Sequence, residues 1–93
     1  MAYDLQAAVT SWVAQELEEQ ASAEEIGYWV TLNQAPHGLE AVIYLQTPEF
    51  FEFQRTPVLV DEHHVRFNTR RALEKLARDY TERDLPDMGR GGA

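Results

Sequence analysis

Two alternating stretches hinged on Ala35-Pro36-His37-Gly38 constrain this chain more than any other feature. From Gly27 to Gln34, Tyr28, Val30 and Leu32 fall on one side of an extended backbone, and Trp29, Thr31 and Asn33 fall on the other. From Leu39 to Gln46, Leu39, Ala41, Ile43 and Leu45 alternate with Glu40, Val42, Tyr44 and Gln46 in the same way. Between them Pro36 fixes φ and Gly38 is free to take a positive φ, which makes the join a tight turn. An antiparallel hairpin follows, ended by Thr47-Pro48. With 93 residues the chain has room for one domain and one small core around this hairpin.

Upstream, Leu5, Val9, Trp12, Val13 and Leu17 recur at three- and four-residue steps, the signature of a helix with one apolar stripe over about 4–21. Asp4 is placed to accept from the free N–H groups of its first turn. Ser22-Ala23-Glu24-Glu25 has the form of a capping box but leads into strand-like sequence, so it reads as a connection.

Downstream the pattern is less regular. Phe50, Phe51 and Phe53 sit among acids in a segment bounded by Pro48 and Pro57, and Val58-Leu59-Val60 reads as a third strand. Residues 61–68 admit two readings. Val65-Arg66-Phe67 pairs back as a short fourth strand, or the last helix begins at Asp61, whose charge suits a helix N-terminus. Val, Phe, Asn and Thr together suit a helix interior poorly, which favours the strand and a helix over about 69–83 with Ala72, Leu73, Leu76 and Tyr80 facing inward. The expected fold is α+β, in the order helix, antiparallel sheet of three or four strands, helix (α-β-β-β-α). It forms one domain over 1–83, followed by a flexible Pro/Gly-rich tail over 84–93.

Charge is divided along the chain. The 16 acids and 8 bases give a net −8. Residues 1–54 hold nine of the acids and no Lys or Arg, whereas residues 55–93 hold every base, seven of them Arg. At 44% hydrophobic and 11% aromatic, the composition is that of a folded domain. There is no Cys, hence no disulfide framework, thiolate metal site or Cys nucleophile. No uncharged run is long enough for a transmembrane helix, and the opening residues, with Asp4 and no basic stretch, do not read as a secretory leader.

Catalytic signals are sparse. Asp61-Glu62-His63-His64 is the one cluster with metal-ligand chemistry, but adjacent His63 and His64 diverge on a strand and lie about 100° apart on a helix. A small metal-dependent enzyme centred on that turn is therefore the remotest reading, and a solvated turn the simpler one. Ser11 and Ser22 lack a nucleophile-elbow context, the paired acids Glu18/Glu19 and Glu24/Glu25 are sequence neighbours rather than groups across a cleft, and no glycine-rich phosphate loop precedes a helix. The expectation is a non-enzyme without cofactor, metal or small-molecule substrate. The helix-sheet-helix order is shared with double-stranded RNA-binding domains, and Arg70 and Arg71 would stand at the last helix's start. The acidic remainder opposes phosphate contacts, so direct nucleic-acid binding is not expected, nor is a membrane contact.

Three features point instead to protein contacts. Glu16, Glu18 and Glu19 lie on a first helix with no basic counterpart, while Arg71, Lys75 and Arg78 run along one strip of the last helix. Pairing between these helices in different copies would be heterologous and would build a ring or a filament. Phe50, Phe51 and Phe53 supply the third feature. Adjacent Phe50 and Phe51 cannot both face inward on an extended chain, so either the pair is an exposed interface anchor or the segment curls over the sheet edge and buries both.

The organisation resembles that of small virion proteins of actinobacterial tailed phages, head–tail connector or capsid-associated proteins among them. The likeness lies in the Ala/Glu-rich first helix, strand Gly27–Gln34, the Ala35-Pro36-His37-Gly38 turn, strand Leu39–Gln46 ending in Thr47-Pro48, and the Arg-rich closing helix, over residues 4–83. It is one of architecture and composition, and it brings no functional residue with it. What it implies is a structural protein in a symmetric oligomer, located in the virion; without it a cytoplasmic location is the default. The competing reading is an acidic inhibitor or immunity-type protein that fills the basic cleft of a partner such as a nuclease.

Overall fold

The computed structural model describes residues 4–20, 26–36, 38–57 and 60–84. Along it run α1 (Leu5–Gln20), β1 (Gly27–Ala35), β2 (Gly38–Gln46), β3 (Phe51–Pro57) and α2 (Glu62–Asp84). The strands form one antiparallel sheet in the order β1-β2-β3, so the fold is α+β in the expected α-β-β-β-α order. The connection 22–25, His37 and most of the expected tail lie outside the described residues.

The first helix and the hairpin form where the sequence places them. The Asp4 carboxylate accepts from the Ala7 N–H at 3.1 Å and caps α1. Val9, Val13 and Leu17 on its stripe are fully buried, with Leu5 and Trp12 packed at the margin of the core. In the hairpin Ala35 faces Gly38 and Gly27 faces Gln46, and Gly38 takes a φ of 131°. Val30, Ala41, Ile43 and Leu45 point to one face of the sheet and meet Val9, Val13 and Leu17 from α1 and Val65, Ala72 and Leu76 from α2. Both helices therefore lie on the same side of the sheet.

Two expectations are corrected. The third strand is Phe51–Pro57 rather than 58–60; Val58 and Leu59 lie outside the described residues, and Val60 is outside any strand. The chain reverses after β2 within residues 47–50 because Thr47 organises the turn. Its N–H donates to the Phe50 carbonyl at 2.8 Å, and its hydroxyl oxygen accepts from the Phe50 N–H at 3.0 Å. The Tyr80 hydroxyl of α2 donates to the same Thr47 oxygen at 2.7 Å.

The second correction concerns 61–68, where the helical reading holds in place of the favoured fourth strand: Asp61 precedes a 23-residue helix, Glu62–Asp84, whose first turns take up the segment. Asp61 caps it, accepting from the His64 N–H at 2.9 Å. Its poor helix formers are used for packing. Val65 and Thr69 are fully buried, the Thr69 hydroxyl donates to the Val65 carbonyl, and Asn68 Nδ2 donates to the His64 carbonyl and to Thr56 Oγ1 on β3. Tertiary contacts outweigh propensity differences of a few tenths of a kcal/mol per residue, about the size of those separating these types from good helix formers.

An ionic cluster around one buried carboxylate joins the helices. Glu16 sits within the apolar stripe of α1, fully buried, and its carboxylate accepts from Arg66 Nε at 2.8 Å and from Arg70 at 3.1 Å. Arg66 also pairs with Glu19 and Glu62. Burial alone would raise the Glu16 pKa, but the hydrogen bonds and charges of Arg66 and Arg70 outweigh it and hold the carboxyl below its ordinary 4.5. A carboxyl depressed in the folded state stabilises the fold above its unfolded pKa, and that contribution is lost as pH falls through the folded value. Urea denaturation across the acid range should therefore show stability falling below about pH 4.5, with a shallower fall in Glu16→Gln. At neutral pH Arg66→Ala should cost about 3 kcal/mol, because it strips a buried carboxylate of its closer partner, and Arg70→Ala should cost less.

Candidate protein-contact surface

With both helices on one side, no described element covers the other face of the sheet. Register decides what it carries. Trp29 on β1 stands opposite Tyr44 on β2, and Tyr44 stands opposite Phe53 on β3, with Phe51 one alternation along. Antiparallel sheets with one free face usually turn polar residues outward on it. Here Trp29 and Tyr44 stack at 5.0 Å between ring centroids and 10° between planes, Phe51 lies 5.8 Å from both, and Phe53 lies 6.2 Å from Tyr44. Trp29, Phe51 and Phe53 remain 41%, 48% and 43% exposed.

These four rings make a continuous aromatic patch. Beyond it on the same face, Asn33, Val42 and the Glu40–Arg55 ion pair at 3.4 Å line a shallow depression with Tyr44, Phe51 and Phe53. Val42 is buried by these neighbours although it faces away from the core. At the outer side of β3, Lys75 of α2 donates to the Phe53 carbonyl at 2.9 Å and holds its ammonium 5.6 Å from the Phe53 ring. Gln6 of α1 likewise donates to the Val30 carbonyl of β1 at 2.7 Å. Each outer strand thus has a main-chain acceptor occupied by a helix side chain, one way of blunting a sheet edge.

The residues expected to form the contact surface separate into groups. Phe51 and Phe53 lie on the open face, joined there by Lys75. Phe50 turns the opposite way and packs edge-on against Tyr80 at 4.7 Å, so the Phe50–Phe51 doublet is split between the two faces. Glu16 and Glu19 find counterions within the chain, on Arg66 and Arg70 rather than on the Arg71, Lys75 and Arg78 strip. Glu18 is exposed on α1. Arg71 and Arg78 are exposed on α2, and the Arg71 and Arg70 guanidinium groups lie 5.8 and 5.9 Å from the exposed Phe67 ring. Trp29 and Tyr44 complete the patch and were not among the residues singled out. Counting back from the Ala35–Gly38 turn would have placed them side by side.

Other sites offer less. His63 and His64 occupy the first turn of α2 with rings edge to face at 5.3 Å, and His64 Nδ1 lies 2.8 Å from the capping Asp61 carboxylate. The hydrogen bonds from the His64 N–H and ring hold the Asp61 carboxyl below its ordinary range. Among the described residues no three His, Asp or Glu side chains gather as a metal site requires. The Asp79 carboxyl beside Glu52 raises the Glu52 pKa, a pairing that favours the protonated form. A groove of about 500 Å³ runs past Ile26, Leu73, Leu76, Ala77 and Tyr80, but Arg70 and Thr47 in its lining are committed to Glu16 and to the 47–50 turn. No described helix is long and apolar enough to cross a membrane.

One polar atom on the open face is unsatisfied. The Thr31 hydroxyl, beside Val42 in the register, is buried with no hydrogen-bond partner. Thr31→Val keeps the branched shape and removes the orphan, so it should stabilise the fold by about 1 kcal/mol, read as a higher denaturation midpoint at unchanged slope.

Comparison with protein-family models, with curated proteins and with solved structures found no match to the chain.

Proposed function

We propose that this chain is a non-enzymatic assembly protein acting through protein–protein contacts, with the open face of the sheet as its contact surface. The observation that carries the reading is the cluster of Trp29, Tyr44, Phe51 and Phe53, packed together on a sheet face that no described element covers. Contiguous exposed apolar surface marks interaction sites, and aromatic anchors dominate interface energetics. A role in a symmetric particle, of the kind the sequence resemblance to small virion proteins implies, is compatible with a small domain that presents an aromatic surface. The inhibitor reading would draw on the acids of α1, and two of these, Glu16 and Glu19, are engaged by Arg66.

Hydroxyl-radical footprinting tests the reading. Trp29, Phe51 and Phe53 should be labelled readily in the dilute purified protein and protected at least severalfold in extracts of its native source, while exposed Phe67 changes little. Equal labelling of the three rings in both settings would overturn it.

A further inference from the structure

We infer that the occupant of the open face is a second copy of this chain, packed sheet on sheet about a two-fold axis. The inference rests on the reading of that face as the contact surface, and it names the partner.

Charge makes the first argument. The chain carries a net −8, so two copies repel through most orientations. On the open face Glu40 and Arg55 are paired at 3.4 Å, and Lys75 reaches its β3 margin with the ammonium 5.6 Å from the Phe53 ring, so the face carries no excess of acid. Two such faces meet without bringing excess acid together. A basic partner would find no net attraction there, and a phosphate backbone would find Arg55 already paired and Lys75 already bonded to the Phe53 carbonyl.

Geometry makes the second. Antiparallel sheets stack face to face about 10 Å apart with their outward side chains interleaved. Three strands spaced ~4.8 Å apart, of nine, nine and seven residues, present roughly 400–500 Å² per copy once side chains are included. The total, near ~1,000 Å², is at the lower end of specific interfaces and fits a reversible dimer rather than an obligate one. Edge-to-edge growth is disfavoured, since Gln6 and Lys75 occupy acceptors on the two outer strands. A face-to-face contact is isologous and closes at two copies, whereas pairing the acidic helix with the basic one would have been open-ended.

Sedimentation equilibrium of the full chain from about 1 μM to about 1 mM, at low and high salt, decides the matter. Wild type should pass from monomer to dimer and stop there, associating more tightly in high salt as repulsion between the acidic bodies is screened. Phe51→Ser/Phe53→Ser should stay monomeric throughout, with a thermal midpoint near that of wild type. Should that variant fail to fold, Phe51→Glu, at the most exposed of the rings, should weaken the dimer at least tenfold, and more at low salt. A wild type that remains monomeric at every concentration, or a dimer that survives these substitutions, overturns the inference. If wild type is monomeric yet the rings are protected in native extracts, the partner assignment fails and the contact-surface reading stands. If the rings are unprotected as well, both fail.

Discussion

The buried carboxylate of Glu16 is the constraint around which the rest of this structure is arranged. A charge fully out of water is tolerated only when partners surround it, and Arg66 and Arg70 approach it from one turn to the next along α2. To bring them there, α2 must lie against α1, and since the apolar stripes of both helices seek the same side chains, both settle on one face of the sheet. The cluster thereby fixes which face is covered and which is left bare. It also changes the meaning of the divided charge along the chain: part of the acidic first half and the Arg-bearing second half is matched internally.

A three-stranded sheet of this size cannot bury two faces with two helices on one side. The residues left outside would ordinarily be polar, yet β1, β2 and β3 each place an aromatic residue there at adjoining registers. Part of the consequence is internal, because stacked rings shield Val42 and lend cross-strand stability worth roughly 0.5–1.5 kcal/mol per well-placed pair. That internal gain does not require Phe51 and Phe53 to stay over two-fifths exposed. The exposed remainder is the part that a contact would use.

Much of this was legible in the sequence. The hairpin and its turn followed from alternation around Pro36 and Gly38, and the first helix from its stripe and Asp4. The closing helix was recognised but begun too late, because Val65, Asn68 and Thr69 look unhelical until Thr56 and the core supply their contacts. The third strand was hidden by the Phe50–Phe51 doublet. Read from Phe51 onward, Phe53 and Arg55 alternate with Glu52, Gln54 and Thr56, and only the Tyr80 contact explains why Phe50 stands apart. Of the candidate surface, Phe51 and Phe53 were visible as aromatic residues without an evident core role. Trp29 became visible only when paired with Tyr44 across the hairpin, since a register gathers residues that a scan along the chain keeps separate. Glu16 carried a signal that went unread: at three and four residues from Val13 and Trp12, it falls inside the apolar stripe, unlike Glu18.

An exposed aromatic sheet face is hazardous to a small protein, because it invites indiscriminate association. Two features of this molecule narrow what can use it. Its net charge keeps copies and other acidic bodies apart in most orientations, leaving the face without excess acid as the favourable approach. Its outer strands offer main-chain acceptors already bonded to Gln6 and Lys75, which discourages a stray chain from extending the sheet. For the proposed contact, repulsion elsewhere and occupied edges would act as selectivity, raising the free energy of wrong encounters without weakening the right one. On the proposed reading the net charge and the aromatic face are parts of one arrangement: the first would restrict the approach, and the second would supply the surface that is approached.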